Sequence, residues 1–366
     1  MFENSKRNIM KQLKVLNLKL GGDCNLGCPH CHCRPSRFEK NTKVYDWIKS
    51  QNYDRISFSG GEPLLYIETI KEAVSAIGEL EYRIVTNGTL LTDEIVEYLN
   101  ENNFTVLVSY DGENGARDSA IEPRWDMVRK LKKTGLSVCC YPGNMDFAKI
   151  GSDIEQLKVK HELRNILTLG YLQSVEFPHQ TEYATNELVS DKEVEDYLQQ
   201  TQLQLLFMFE QYATGAPLDG LFLLKKCLKK WWIKKDYQGC RCCNPMAHAV
   251  TIDGRFMLCS YGNTFVGDIN SGIDFEKVAK AIPKRCQTCE LWDVCKNTCV
   301  ANVTENECKI AHAMNAFLET TIDTYNVRER LERDIQSLHN NNQLEREVEL
   351  PERKRIITNG NGTNQV

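Results

Sequence analysis

An α/β fold on a parallel sheet is predicted by two patterns. Short apolar strands alternate with helical stretches from residue 15 to about residue 170, giving six βα units in series. Loops carrying Cys, Gly and Asn fall directly after several of those strands, where parallel sheets collect their chemistry. A third pattern, a cysteine-dense stretch from Cys240 to Cys308, predicts a second and smaller domain.

Taken in order, strands are predicted at 15–20, Arg55–Ser59, Tyr82–Thr86, Phe104–Tyr110, Ser137–Tyr141 and Asn165–Leu169. Helices are predicted at Lys43–Ser50, Tyr66–Leu80, Thr92–Asn100, Arg124–Lys133 and Ile150–Lys158. Thr92, with Asp93 and Glu94 behind it, is an N-cap followed by acidic residues in the first turn. Residues 185–236 read as helical, with Leu203, Leu205, Leu206, Phe207, Phe209 and the run Leu221–Leu224 supplying apolar faces. A helix over 311–337 follows the cysteine-rich stretch, and the polar tail at 340–366 reads as disordered. The expected organisation is a sheet domain at 12–184, a helical linker at 185–236, a cysteine-rich domain at 237–325 and the tail.

A chain of 366 residues can build two such domains with a substantial core. Its net charge of -5 gives no support for a nucleic-acid partner. It has no apolar run of about 18 residues and no secretory signal, so a soluble, cytoplasmic protein with no membrane partner is expected. In that reducing setting, 16 cysteines point to metal ligation rather than to disulfides.

Cys24-Asn-Leu-Gly-Cys28-Pro-His-Cys31 follows at once on the first strand. Three thiols in one tight loop can hold three irons of a [4Fe–4S] cube as thiolates. Cys33 sits too close to Cys31 to reach the fourth iron easily, so a small molecule can bind and react there. A zinc tetrahedron completed by His30 or His32 is the competing reading. The second strand ends Ser57-Phe58-Ser59-Gly60-Gly61-Glu62-Pro63. Two glycines bring the backbone close to a ligand, and Glu62 can accept hydrogen bonds from an ammonium group. The third strand ends Thr86-Asn87-Gly88 and the fourth Ser109-Tyr110-Asp111-Gly112.

The cysteine loop resembles the signature of the radical S-adenosylmethionine (radical SAM) enzymes, with His30 where the family usually has an aromatic side chain. The resemblance implies a partial (β/α)6 TIM-like barrel. It also implies that the methionine amine and carboxylate of S-adenosyl-L-methionine (SAM) chelate the open iron. The reduced cluster would then cleave SAM to a 5′-deoxyadenosyl radical, which removes a hydrogen atom from substrate. Gly60, Gly61, Glu62 and Pro63 are similar to the family's element that binds the methionine amine. Thr86, Asn87 and Ser109 resemble positions that face the SAM ribose and carboxylate, Ser109 being the ribose contact and Asp111 a turn former. An arginine usually meets the SAM carboxylate; Arg117 and Arg124 flank the expected place, held here by Ile121, and Arg124 is carried as the binding residue.

The C-terminal cysteines run Cys243-x10-Gly254-x4-Cys259, then Cys286-x2-Cys289-x5-Cys295-x3-Cys299, then Cys308. This is similar to the seven-cysteine SPASM domain of radical SAM enzymes and implies two auxiliary [4Fe–4S] clusters, hence three clusters in all. One would use Cys286, Cys289, Cys295 and Cys308. The other would use Cys259, Cys299 and two of Cys240, Cys242 and Cys243, with Cys240 and Cys243 preferred for their wider bite. Fully ligated clusters suit electron transfer. A zinc ribbon on Cys286, Cys289, Cys295 and Cys299 competes, but it leaves the other cysteines unexplained.

Cys139 and Cys140, on the fifth predicted strand, are candidate hydrogen donors to a carbon radical; the plainer reading makes them small buried hydrophobes. The basic and aromatic run from Lys225 to Lys235 reads as a solvated helix with one aromatic face buried rather than as a contact for RNA or an acidic leader. The family resembled mostly modifies ribosomally made peptides or proteins. The first strand starts at Val15, so a winged-helix peptide-recognition domain ahead of it is not expected. Ser260 stands where sulfatase-maturing relatives usually have an aspartate, which counts against formylglycine formation. The expected function is maturation of a small ribosomal precursor peptide by a thioether or C–C cross-link, with a reductant such as flavodoxin or ferredoxin. The alternatives are formylglycine generation, epimerisation, oxidation of a small metabolite, and a non-catalytic iron–sulfur or zinc scaffold.

Overall fold

Six parallel strands lie side by side in the order in which the chain makes them: β1 (Val15–Lys19), β2 (Arg55–Ser59), β3 (Glu81–Thr86), β4 (Phe104–Ser109), β5 (Thr134–Cys139) and β6 (Leu172–Ser174). The computed structural model describes residues 15–28, 31, 33, 36–113, 115, 117–139, 144, 147–163, 172–174, 191–218, 221, 224–225, 227–228, 249–258, 264–281, 284, 288–291 and 305–340. Side chains alternate across a strand, and here the alternation separates two kinds of residue. Leu16, Leu18, Ile56, Phe58, Tyr82, Ile84, Phe104, Val106, Val108, Leu136 and Val138 are buried in one core. Within it the rings of Phe58, Tyr82 and Phe104 stack across three strands, with centroids 5.3 to 5.9 Å apart. On the opposite face the polar Asn17, Ser57, Arg83 and Thr105 stand in register across four strands.

Helices α1 (Lys43–Ser50), α2 (Ile67–Ile77), α3 (Asp93–Glu101), α4 (Asp118–Ile121), α5 (Trp125–Arg129) and α6 (Phe147–Lys160) connect the strands. Thr92 caps α3 as its spacing predicts, accepting from Ile95 N at 3.3 Å. The helix expected at Tyr66–Leu80 is entered through a 3-10 turn, Pro63–Tyr66, and α2 stops at Ile77, where Gly78 takes φ 97°. The fifth strand begins at Thr134 rather than Ser137, cutting short the helix expected to run to Lys133. The reason is the neighbouring strand: Val106 N donates to Lys133 O at 2.9 Å, and Thr134 Oγ1 donates to Val106 O at 3.0 Å. The expected strand Asn165–Leu169 lies outside the described residues, and β6 pairs with β5 through Ser137↔Leu172.

Beyond the first six strands the sheet continues. β7 (Ala249–Thr251) adds to β1 in parallel, Leu18 facing Val250, and β8 (Arg255–Met257), β9 (Phe265–Asp268) and β10 (Gly272–Ile273) follow antiparallel. Strands within the expected cysteine-rich domain thus extend the sheet domain to ten strands. A short helix, α8 (Phe275–Ala281), follows. A second core is helical: Tyr197, Leu205 and Phe209 of α7 (Asp191–Ala213) pack with Met314, Leu318 and Ile322 of α9 (Glu305–Thr324) and Leu331 of α10 (Arg328–Asn340). The single helix expected over 311–337 is therefore two helices, separated where Asn326 adopts φ 51°. The tail from 341, expected to be disordered, lies outside the described residues. Among the described residues no helix is long and apolar enough to cross a membrane.

Candidate active site around the cysteine loop

The pairing of β1 with β2 runs on past both strands and seats the cysteine loop. Leu20 N donates to Ser59 O at 2.9 Å, Gly61 N to Gly21 O at 3.1 Å and Glu62 N to Asp23 O at 2.9 Å. The far end of the loop returns to the same place, with Gly22 N on Ser36 O at 2.7 Å and Arg37 Nε on Asp23 Oδ2 at 2.9 Å. Gly60 and Gly61 are required by this approach. A Cβ on Gly60 would lie 2.6 Å from Gly21 O, and one on Gly61 would lie 2.3 Å from Asp23 O. The sequence assigns these glycines to a ligand; the structure gives their missing side chains to the chain's own loop.

Cys24, Cys28 and Cys31 lie within electrostatic reach of one another, the Cys28 thiol responding to both of the others. Burial pushes the Cys24 thiol up, and it pushes the Cys28 thiol up to about 11 against the pull of the Arg117 charge. Cys31 behaves oppositely. A hydrogen bond from the Cys33 thiol is the main cause that brings it down to about 6. Cys33, pushed well up by donating to Cys31 and by burial, also lies with its Sγ 3.2 Å from Gly60 O. Among the described residues no group of three or more His, Cys, Asp or Glu side chains is arranged to hold a metal ion by itself. Three soft thiols on one loop fit an iron–sulfur cluster held as thiolates.

Glu62, expected to receive an ammonium group, is fully buried and accepts from three protein donors. Its Oε1 accepts from Leu64 N at 2.9 Å and Thr86 Oγ1 at 2.7 Å, and its Oε2 accepts from Asn87 N at 2.7 Å. Burial raises its carboxyl, and these three bonds pull the other way. The Thr86 hydroxyl is thereby committed to Glu62, and Pro63 is buried at the start of the 3-10 turn. Asn87 faces the cysteine loop, with Nδ2 3.8 Å from Cys24 Sγ. Ser109 stands buried at the C-terminal end of β4, opposite Ser137.

Of the two candidate arginines, Arg124 is exposed and its Nε donates to Thr89 O at 3.1 Å. Arg117 is the one whose charge acts on the thiols. It forms a buried bidentate pair with Asp111, Nε–Oδ2 and Nη2–Oδ1 both 2.7 Å, and its charge acts on Cys28 and Cys31. Asp111, expected to be a turn former, is thus an arginine partner. The separation of six residues, bridged by a glycine-containing turn, carries no periodic signal that sequence alone could use.

His30, Cys140, Cys240, Cys242, Cys243, Cys259, Cys286, Cys295 and Cys299 lie outside the described residues, as does Ser260. Cys139 ends β5. Two expected ligands of one auxiliary cluster are described. Cys289 Sγ lies 3.7 Å from His312 Nε2, and Cys308 is on α9, one turn before that histidine.

The family model described as the Radical SAM superfamily matches residues 18–145. The radical SAM cyclopropyl synthase TigE of Paramaledivibacter caminithermalis is 29% identical over 146 residues, 31% of this chain and 31% of that protein. The serine-type anaerobic sulfatase-maturating enzyme of Bacteroides thetaiotaomicron is 34% identical over 124 residues, 28% of this chain and 30% of that one. The matched stretch therefore spans under a third of these relatives. The structure resembles native anSMEcpe with bound AdoMet and Cp18Cys peptide, with a TM-score of 0.55 at 17% identity, covering 86% of this chain and 99% of that one, a likeness of fold. Residues 18–145, which match the Radical SAM superfamily model, take in the end of β1, the seated cysteine loop, the two-glycine turn and strands β2 to β5.

Proposed function

We propose that this chain is a radical SAM enzyme of the SPASM type that matures a small ribosomally made peptide by installing a thioether or C–C cross-link. The observation that carries the proposal is the loop of three thiols seated by backbone bonds at the C-terminal end of β1. The cluster and SAM, when bound, supply a 5′-deoxyadenosyl radical. The chain's own residues hold and aim that chemistry. Cys24, Cys28 and Cys31 would hold three irons, and the Gly60–Gly61 turn fixes their loop. Arg117, rather than Arg124, would meet the SAM carboxylate, a reading supported by its pairing with Asp111, which orients the guanidinium. Ser109 would meet the ribose. Cys286, Cys289, Cys295 and Cys308, and Cys259, Cys299, Cys240 and Cys243, would hold the auxiliary clusters that take up the electron a cross-linking reaction must release. The solved structure of like fold carries a bound peptide by its title, which suits a peptide substrate.

A second reading, maturation of a sulfatase, is supported by the serine-type relative and by the cysteine-type enzyme of Clostridium novyi, 27% identical over 131 residues. The test is mass spectrometry of a candidate precursor peptide co-expressed with the full chain. Loss of two hydrogens supports the cross-link. An unchanged mass with solvent deuterium incorporated indicates epimerisation, and an aldehyde formed on a sulfatase peptide selects the second reading. Absence of 5′-deoxyadenosine from reduced, anaerobic protein overturns both.

A further inference from the structure

Asn87, expected among the nucleotide contacts, turns its side chain to the cysteine loop. Nδ2 lies 2.9 Å from Asn25 Oδ1 and 3.8 Å from Cys24 Sγ. Oδ1 accepts from Thr89 N at 3.0 Å and from Thr89 Oγ1 at 2.7 Å, and Thr89 Oγ1 accepts from Asn25 Nδ2 at 2.8 Å. The three side chains close a ring in which every member has a fixed role. Turning the Asn87 amide over would set Oδ1 against Asn25 Oδ1 and Nδ2 against two Thr89 donors. The main chain is held as well, because Asn87 N donates to the buried Glu62 carboxylate at 2.7 Å. The amide is therefore fixed with an N–H aimed at the sulfur of Cys24.

We propose that Asn87 is a positioning residue of the SAM-binding cluster whose Nδ2–H···Sγ bond to Cys24 raises the cluster's reduction potential. Reduction adds negative charge to the cube and its thiolates, and a donor on a ligating sulfur stabilises that form more than the oxidised one. A cluster easier to reduce receives its electron more readily from a weak cellular donor. The inference goes beyond the proposed function and rests on one part of it, that Cys24 is a cluster ligand.

The test is a potentiometric titration of full-length, anaerobically reconstituted protein, following by EPR the reduced signal that changes when SAM is added. Asn87→Leu and Asn87→Ala both remove the donor, and Ala serves if Leu fails to load iron. Both are expected to lower the midpoint potential at wild-type iron content. Asn25→Ala opens the ring while leaving the Asn87 donor beside Cys24, and is expected to keep the wild-type potential. Wild-type potentials in the Asn87 variants overturn the inference. So does an equal shift in Asn25→Ala, which would assign the effect to the ring. A wild-type protein with no SAM-responsive cluster overturns the cluster reading itself, and the inference falls with it.

Discussion

A methyl group added at Gly61 would sit 2.3 Å from Asp23 O, which already accepts from Glu62 N, and 2.4 Å from Gly22 O, both backbone atoms. Gly61→Ala is therefore expected to cost about 1–3 kcal/mol through forced backbone shifts and to lower the iron bound on reconstitution. Gly27, inside the same loop, has nothing within 4 Å of a built Cβ. Gly27→Ala is expected to leave both stability and iron loading near wild type, and urea unfolding with an iron assay separates the two variants. Residue identity alone announced the three thiols and the glycine pair, because their spacing along the chain is the signal. The partners of Glu62 and Asn87 were not legible. Both take donors or acceptors from residues more than twenty positions away, and only the folded register brings those together.

At the scale of elements, the turn after β4 is held by Asp111 and Arg117, with side chains 0% and 11% exposed. Asp111→Ala leaves a buried guanidinium without its bidentate partner, and the expected loss is about 3–5 kcal/mol in chemical unfolding. An exposed pair would lose under about 1 kcal/mol. On α1, the buried Tyr45 hydroxyl finds no hydrogen-bond partner among the described residues. Tyr45→Phe is accordingly expected to be neutral or stabilising, since no bond is lost and a desolvated hydroxyl is removed. Loss of about 1 kcal/mol or more would show that the hydroxyl has a partner. Strand and helix types were readable from the alternation of apolar and polar residues, most closely for α1 and β2. β5 was misplaced by three residues because Thr134 and Gly135 lack apolar character, and only pairing with Val106 recruits them.

The whole molecule joins two cores, one under the sheet and one among α7, α9 and α10. The parallel pairing of β7 with β1 returns the chain to the strand that carries the cysteine loop, from more than two hundred residues away. Local sequence patterns hold no record of such a pairing, so the sheet's extension to ten strands was not legible. Burial within the first core pushes the phenols of Tyr45 and Tyr82 up to about 12. In the unfolded chain such phenols ionise near pH 10, so the stability they contribute is full below about pH 10 and is lost as pH rises through about 12. Thermal melts should fall across that window, and more shallowly in a Tyr45→Phe/Tyr82→Phe variant; parallel curves would contradict the assignment.

The central claim is that the loop after β1 holds a cluster with one iron left open for SAM. It is tested most directly by the EPR spectrum of the reduced, reconstituted protein before and after adding SAM. The account predicts a spectrum that changes on addition and a response that vanishes in Cys24→Ala, Cys28→Ala and Cys31→Ala. A spectrum indifferent to SAM, or protein that takes up only zinc at these cysteines, would contradict it.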